Sequence, residues 1–340
     1  MLRRVLGLAK LGPCLRRDDV LAPTLQGTRA NRRSSPRRRG SNFLAAVALC
    51  ALATSPSHAA KPERVQGFRF EIVATNDSAI TRRIVEDLTR RLVPVFSVFR
   101  TELAQRRRML YVTIGPDALR EVAARQCDCV VISAFTSSQV VRAIQASLPP
   151  QRAAAITAVY AEPAPADQLR LAALLYGRPV RLAAILSPDT AFLKPLLAAN
   201  GGAEGRVAVL DARPGSDINR LLGQISQTDA LLALPDSSVY NAENFRNILL
   251  STYRHKQGVI GFSSDMVKAG ALATTYSEIE DIDAQVEEMA AGYVAGGELP
   301  APQFPRYFRT IVNEGVARSL DLDVSEAVRA FARPAPARRP

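Results

Sequence analysis

Residues 110–119 read Leu110-Tyr111-Val112-Thr113-Ile114-Gly115-Pro116-Asp117-Ala118-Leu119. An apolar, β-branched and aromatic run ends on Gly-Pro-Asp, and a segment of helical spacing follows. That order is a strand, a turn and a helix start. The unit recurs on both sides. Upstream, residues 68–74 read as a strand. Ile84, Val85, Leu88, Leu92 and Val95 then repeat at near-helical spacing, with Pro94 predicted to kink or end the helix. Downstream, 129–134 is a strand, 136–146 a helix and 155–160 extended, until Pro163 and Pro165 break the chain. The rhythm then restarts. Strands at 180–186, 207–211, 230–234 and 258–262 alternate with helices at 167–176, 191–199, 218–227 and 242–254. A short helix at 265–269, an extended piece at 271–275 and a helix at 279–295 follow, and the pattern closes with an extended piece at 308–313 and a helix at 316–320. Short apolar strands alternating with amphipathic helices are the signature of α/β layers. The chain therefore reads as two successive units, each a parallel sheet with helices on both faces. Ligands of such sheets bind at the carboxyl ends of strands, so two facing edges predict a cleft between two lobes.

Composition sets the outer limits. The chain has 340 residues, 47 % hydrophobic and 22 % charged, enough to bury a sizeable core. Its formal charge of +12 invites a nucleic-acid reading until it is located. Residues 1–60 hold 11 of the 44 Lys+Arg and 2 of the 32 Asp+Glu, which leaves 33 and 30 for the rest. The basic character belongs to the leader, and no nucleic-acid partner is expected. Residues 1–40 are rich in Arg, Ser, Pro and Gly with no sustained apolar period. The apolar run 44–53 and the small residues Ser57 and Ala59 follow. A basic region, a short apolar run and a small-residue cleavage site make a signal peptide, and the run is too short to span a membrane. The mature chain is expected to begin near Ala60 or Lys61, in the periplasm. Leu49 before Cys50 is too large for a good lipid-attachment box. Beyond the leader only His255 remains, so no multi-His metal site can form, and no metal or cofactor is expected. Cys127 and Cys129, spaced C-x-C on a predicted strand, are read as two small buried residues in preference to a redox pair, since a disulfide across one residue is strained.

The predicted strand ends carry short hydroxyl, amide and carboxylate side chains beside helix starts. The candidates are Thr75, Asn76 and Ser78, then Gly115, then Phe135 and Thr136. In the second unit they are Ser187, Asp236, Ser237 and Ser263. Such groups suit a small anion or zwitterion, since helix N-termini present free N–H groups and a positive dipole end. The competing role for each is simple helix capping. Tyr276 is the remaining candidate, as an apolar wall with Phe135, Tyr240 and Phe262. There is no phosphate loop, dinucleotide fingerprint or nucleophile elbow, and the chain is not expected to be an enzyme.

Several stretches carry a family likeness. In the first half they are residues 110–119 and Ile156-Thr157-Ala158-Val159-Tyr160. In the second half they are Thr228-Asp229-Ala230-Leu231-Leu232-Ala233-Leu234-Pro235-Asp236, residues 258–264 and 267–273, and residues 305–317. Through these the chain resembles the bacterial ABC-transporter substrate-binding proteins related to aromatic amino-acid binders. The resemblance implies a two-lobed periplasmic-binding-protein-like fold crossed three times by the chain. Residues 66–157 plus 272–300 would form lobe one, and 158–271 plus 301–332 lobe two. Hinges would lie near 158, 272 and 300, and 333–340 would be a disordered tail. It further implies a monomer that captures an amino acid or similar zwitterion by hinge closure, with Asp236 facing the ligand. An ABC permease in the inner membrane would receive the solute. The alternative is a periplasmic sensor or scaffold that uses the same fold to feed a signalling partner.

Overall fold

The computed structural model describes residues 65–67, 70–98, 108–200 and 205–337, all within the compact unit His58–Pro340. The predicted signal peptide and its cleavage site lie outside the described residues.

The first half opens with β1 (Val65–Gly67), β2 (Phe70–Ala74) and helix α1 (Ala79–Val98). It continues through β3 (Met109–Ile114), α2 (Gly115–Ala123), β4 (Cys129–Thr136), α3 (Ser138–Ala146), α4 (Pro150–Ala154) and β5 (Ile156–Tyr160). Among the described residues these strands form one sheet in the order β1-β2-β3-β4-β5, parallel except for the β1 edge. The apolar runs that predicted the strands stand in register, Leu110 against both Phe70 and Val130.

The second half runs α5 (Pro165–Tyr176), β6 (Val180–Leu186), a 3-10 turn (Pro188–Leu193), α6 (Lys194–Asn200), β7 (Gly205–Asp211), α7 (Ile218–Gln224) and β8 (Ala230–Leu232). Then come α8 (Ala242–Arg254), β9 (Gly258–Ile260), α9 (Ser264–Lys268), β10 (Ala273–Tyr276), α10 (Ile279–Gly296), β11 (Arg309–Val312), α11 (Glu314–Ser319) and α12 (Glu326–Arg329). The second sheet has the order β11-β10-β9-β8-β6-β7, with only β11 antiparallel. Gly205 starts β7 at φ +136°, where a Cβ would lie 2.0 Å from the Val180 carbonyl oxygen, so no larger residue fits between these strands.

Both faces of each sheet are covered. α1 and α10 bury Leu88, Leu92, Val286 and Tyr293 on one face of the first sheet, and α2 and α3 bury Leu119 and Val141 on the other. Each fully buried Leu of this kind stabilises the fold by roughly 1.5–3 kcal/mol. In the second sheet, α5, α11 and α12 cover one face, and α7, α8 and α9 the other. Pro94 neither ends nor replaces α1, which continues to Val98 with the proline on its exposed side.

The helix pair α1–α10 carries a buried charged group. Arg91 donates to Asp87 and, at 3.1 Å, to Glu287. Asp283 of α10 is fully buried, and among the described residues neither of its carboxyl oxygens has a hydrogen-bond partner. Burial first, and then the neighbouring Asp87 carboxylate, push its pKa up to about 9, against the opposing pull of Arg91.

Five sequence expectations shift. Residues 273–276 pair with β9 and β11, so β10 belongs to the second sheet and the chain leaves that lobe after Tyr276, not at Leu272. Ala158 lies ahead of the crossing, buried inside β5 and in register with Ser133. The returning chain pairs Gln303 with Val159 before it enters the second lobe, so Pro300 lies ahead of the crossing. The crossings are therefore the short segments 161–164, 277–278 and 304–308. The segment 333–337 is also ordered. Arg333 and Phe308 exchange backbone hydrogen bonds of 2.8 Å, and the Ala335 N–H donates to Asp281 of α10 at 2.9 Å. Finally, Cys127 and Cys129 are joined by a disulfide instead of being unpaired, and Cys127 is half-exposed.

Candidate functional site

The polar residues read from the sequence do gather at the carboxyl ends of the strands, in separate groups. At the end of β2, Thr75, Asn76 and Ser78 are exposed. The Ser78 hydroxyl accepts from the Thr81 N–H at 3.1 Å, and Asn76 accepts from the Thr81 hydroxyl, so this loop is knit to the first turn of α1. At the end of β3, Gly115 opens α2 at φ +82° with nothing within 4 Å of where a Cβ would stand. No side chain caps this helix.

At the end of β4 the backbone is strained. Phe135 has φ +57°, a left-handed conformation that bulky residues rarely adopt, at a register shift between Ala134 and Thr136. Its half-buried ring packs on the first core. Thr136 is buried, with its hydroxyl 3.1 Å from Ser133. Ser137 caps α3.

In the second lobe the strand order reverses between β6 and β8, since β7 lies on the far side of β6. Such a switch point is where open α/β sheets receive ligands. Ser187 and Asp236 meet there. The Asp236 carboxylate is 1 % exposed and takes four hydrogen bonds. One oxygen accepts from the Ser187 N–H at 2.9 Å and the Thr190 hydroxyl at 2.6 Å. The other accepts from the Ser238 N–H at 3.1 Å and its hydroxyl at 2.6 Å. Burial works to raise this carboxyl, but the bonds from Ser187, Ser238 and Thr190 outweigh it and hold the pKa below the usual range. Asp236 thus ties the end of β8 to the turn after β6, and both its oxygens are spoken for within the lobe. Ser187 itself caps the 3-10 turn, and Ser263 caps α9. Ser237 is exposed beside them. Tyr276, half-buried, ends β10 opposite Arg309. Tyr240 and Phe262 pack edge-to-face, ring centroids 6.0 Å apart, against the core under the second sheet.

Three residues that the sequence reading missed join these groups. Arg142 of α3 stacks over the ring of Phe192, on the turn after β6, at 4.3 Å from its centroid. The two lobes touch there, beside the ends of β4 and β6. In the first crossing segment, Glu162 is buried and accepts from the Ser138 N–H at 2.9 and 3.2 Å, filling the N-terminus of α3 from within. Burial pushes the Glu162 carboxyl up, and the Ser138 N–H bonds oppose that shift. Glu162 could have been noticed as the lone carboxylate between an apolar strand and Pro163. Nothing local marks Arg142 or Phe192. The other two crossings are tied by side chains of α10 and its entry. The Ser277 hydroxyl donates to the Tyr307 carbonyl at 2.6 Å, and Gln285 accepts from the Arg306 N–H at 2.8 Å.

Among the described residues no cluster of His, Cys, Asp and Glu could hold a metal ion, and no helix is long and apolar enough to cross a membrane. No family model and no curated protein matches the chain. Solved structures do match in fold. The ligand-free, open structure of a substrate-binding protein with adhesive properties from Clostridium difficile aligns with a TM-score of 0.53 at 14 % identity, over 78 % of this chain and 98 % of that one. An ABC domain in complex with L-Trp from Streptococcus pneumonia aligns at 0.47 and 16 %, over 78 % and 97 %. A conserved domain protein from Vibrio cholerae aligns at 0.47 and 17 %, over 74 % and 94 %. The chain has the two-lobed, periplasmic-binding-protein-like α/β fold.

Proposed function

We propose that this chain is an exported solute-binding protein. It closes two lobes around a small zwitterion, an amino acid or a close relative, and delivers it to an ABC permease. The observation that carries the reading is the contact of Arg142 with Phe192 between the lobes, next to the carboxyl ends of β4 and β6. Short crossing segments at 161–164, 277–278 and 304–308 let the lobes move as bodies about a common hinge. The uncapped start of α2 at Gly115 supplies N–H groups suited to a ligand carboxylate. The strained Phe135 offers an aromatic wall beside it. Thr75, Asn76, Ser78 and Thr136 would complete the first-lobe side. Ser187, Ser237, Ser263 and Tyr276 would complete the second, while Asp236 holds that side in shape. A leader of signal-peptide pattern and a disulfide both agree with an oxidising, extracytoplasmic location.

The test uses protein recovered from a periplasmic extract. Its intact mass should lack about the first sixty residues, the length of a leader read up to the cleavage site. Calorimetric titration with a panel of amino acids and small carboxylates should find one that binds, and small-angle scattering should show a smaller radius of gyration with it. Retention of the leader in the cytoplasm, or a ligand that binds without any change in shape, would sink the proposal.

Phe192→Ala should weaken affinity for that solute by about two- to fivefold, the value of one partly exposed cation–π contact. Thermal stability of the ligand-free protein should hardly change, because Phe192 is only half-buried. An unchanged affinity would mean that the contact is not part of the closed state.

A further inference from the structure

The disulfide lies at the N-terminal end of β4, on the edge of the first sheet opposite Phe135 and Thr136. It closes a ring of three residues, Cys127-Asp128-Cys129. A cross-link stabilises chiefly by removing freedom from the unfolded chain, and the gain grows with loop length. So short a ring constrains almost nothing beyond its own residues, and a stapling role is weak.

The surroundings suit chemistry better. Arg152 of α4 points both of its terminal nitrogens at the pair. Nη1 lies 3.2 Å from the Cys129 sulfur and Nη2 3.6 Å from the Cys127 sulfur. The guanidinium is fixed there by bonds of 3.0 Å to the Cys129 and Val122 carbonyls. Among the described residues no carboxylate forms an ion pair with it; Asp128 is exposed and pairs with Arg108 at 3.4 Å instead. The other ionisable groups facing Arg152 are Arg108, a second cation, and the Tyr111 phenol. Cys127 is partly exposed and Cys129 is buried, so Cys127 is the residue that solvent reaches, while the Cys129 sulfur lies nearer the cation.

We propose that Cys127, Cys129 and Arg152 form a redox-active dithiol–disulfide site on the first lobe, exchanging electrons with an external dithiol. The incoming thiolate attacks the Cys127 sulfur, and the bond between the two cysteines breaks. Cys129 leaves as a thiolate held by the Arg152 N–H groups. The second thiol of the partner then attacks the mixed disulfide. The partner departs with its own disulfide formed, and Cys127 and Cys129 keep two electrons and the partner's two protons. A cation beside the leaving sulfur speeds this exchange, because a thiol of lower pKa leaves faster.

The experiment uses the whole mature protein, with glutathione and dithiothreitol as probes. Thiol alkylation followed by mass measurement should show no free cysteine as isolated. Glutathione redox buffers should open the disulfide reversibly while circular dichroism shows an unchanged fold. In the reduced protein, the rate of iodoacetamide alkylation against pH should have its midpoint below about 8.5, the ordinary thiol value. At pH 7 that rate should fall about tenfold in Arg152→Met, with Arg152→Lys between the two. If Arg152→Met does not fold, the midpoint of the natural protein decides alone. Free thiols as isolated, a disulfide inert to glutathione in the folded protein, or a midpoint at or above the ordinary value would overturn the proposal.

Discussion

At pH 8 and above, Asp283→Asn should unfold at a higher temperature than the natural protein, and stability should stop declining toward alkali. Asp283 is fully buried between α1 and α10, has no hydrogen-bond partner among the described residues, and has its pKa pushed up to about 9. The groups around it are Asp87 and Arg91 on α1 and Glu280 on its own helix. The folded protein holds the carboxyl proton at neutral pH, whereas the unfolded chain has released it above about 3.9. Stability from this group is therefore full below the unfolded value and lost as pH rises toward the folded one. Each unit of pH inside that window costs about 1.4 kcal/mol, so the total is large beside an ordinary surface change. Asn is neutral throughout, and the gain at pH 9 should be a few kcal/mol. Thermal melts of both proteins at pH 5, 7 and 9 decide it. Melting temperatures that run parallel across the range would mean that Asp283 does not titrate in this window.

Asp236→Asn should cost about 2–5 kcal/mol of stability in the absence of any ligand. Both carboxylate oxygens accept two hydrogen bonds each. An amide turns one of those acceptors into a donor and leaves two groups of the protein unmatched, at about 1–3 kcal/mol apiece. The pH dependence has the opposite sign to that of Asp283. The folded pKa is depressed, so the stabilisation is present above the ordinary carboxylate range and is lost as pH falls through the folded value. Urea unfolding at pH 7 measures the loss directly. If Asp236→Asn left unfolding unaltered and weakened only solute binding, the carboxylate would be a ligand contact after all.

The difference between those two roles shows where sequence reading runs out. The strands were legible because runs such as Leu110 to Ile114 are apolar, β-branched and closed by Gly-Pro. Their assembly into parallel sheets follows from the helices between them. Asp236 was legible as a polar strand end, but its four donors are two main-chain N–H groups and two hydroxyls, about 50 positions away in sequence or two residues on. No side-chain pattern records which amide will point at which oxygen. Residues 273–276 looked like the return to lobe one because strand pairing is a tertiary choice, and an isolated extended piece fits either sheet. The Pro/Arg-rich end reads as solvated by composition. Its order comes from distant partners instead, Phe308 for Arg333 and Asp281 for Ala335. Cys127 and Cys129 were assigned to the core by residue type, whereas the backbone around Asp128 brings their sulfurs together.

The docking of α10 on the first sheet bears on the order of synthesis. Val286, Met289 and Tyr293 complete a hydrophobic face whose strands lie at 70–74 and 109–136, yet they are translated after strands β6 to β10 of the other lobe. The amino-terminal half emerging from a ribosome therefore carries an uncovered apolar sheet until most of the chain has been made. It cannot close its core while the remainder is still inside the ribosome. A helix made late in synthesis is thus the one that lets the first sheet close its core. Severing the protein at the first crossing would accordingly give two fragments that need each other, and not two independent lobes.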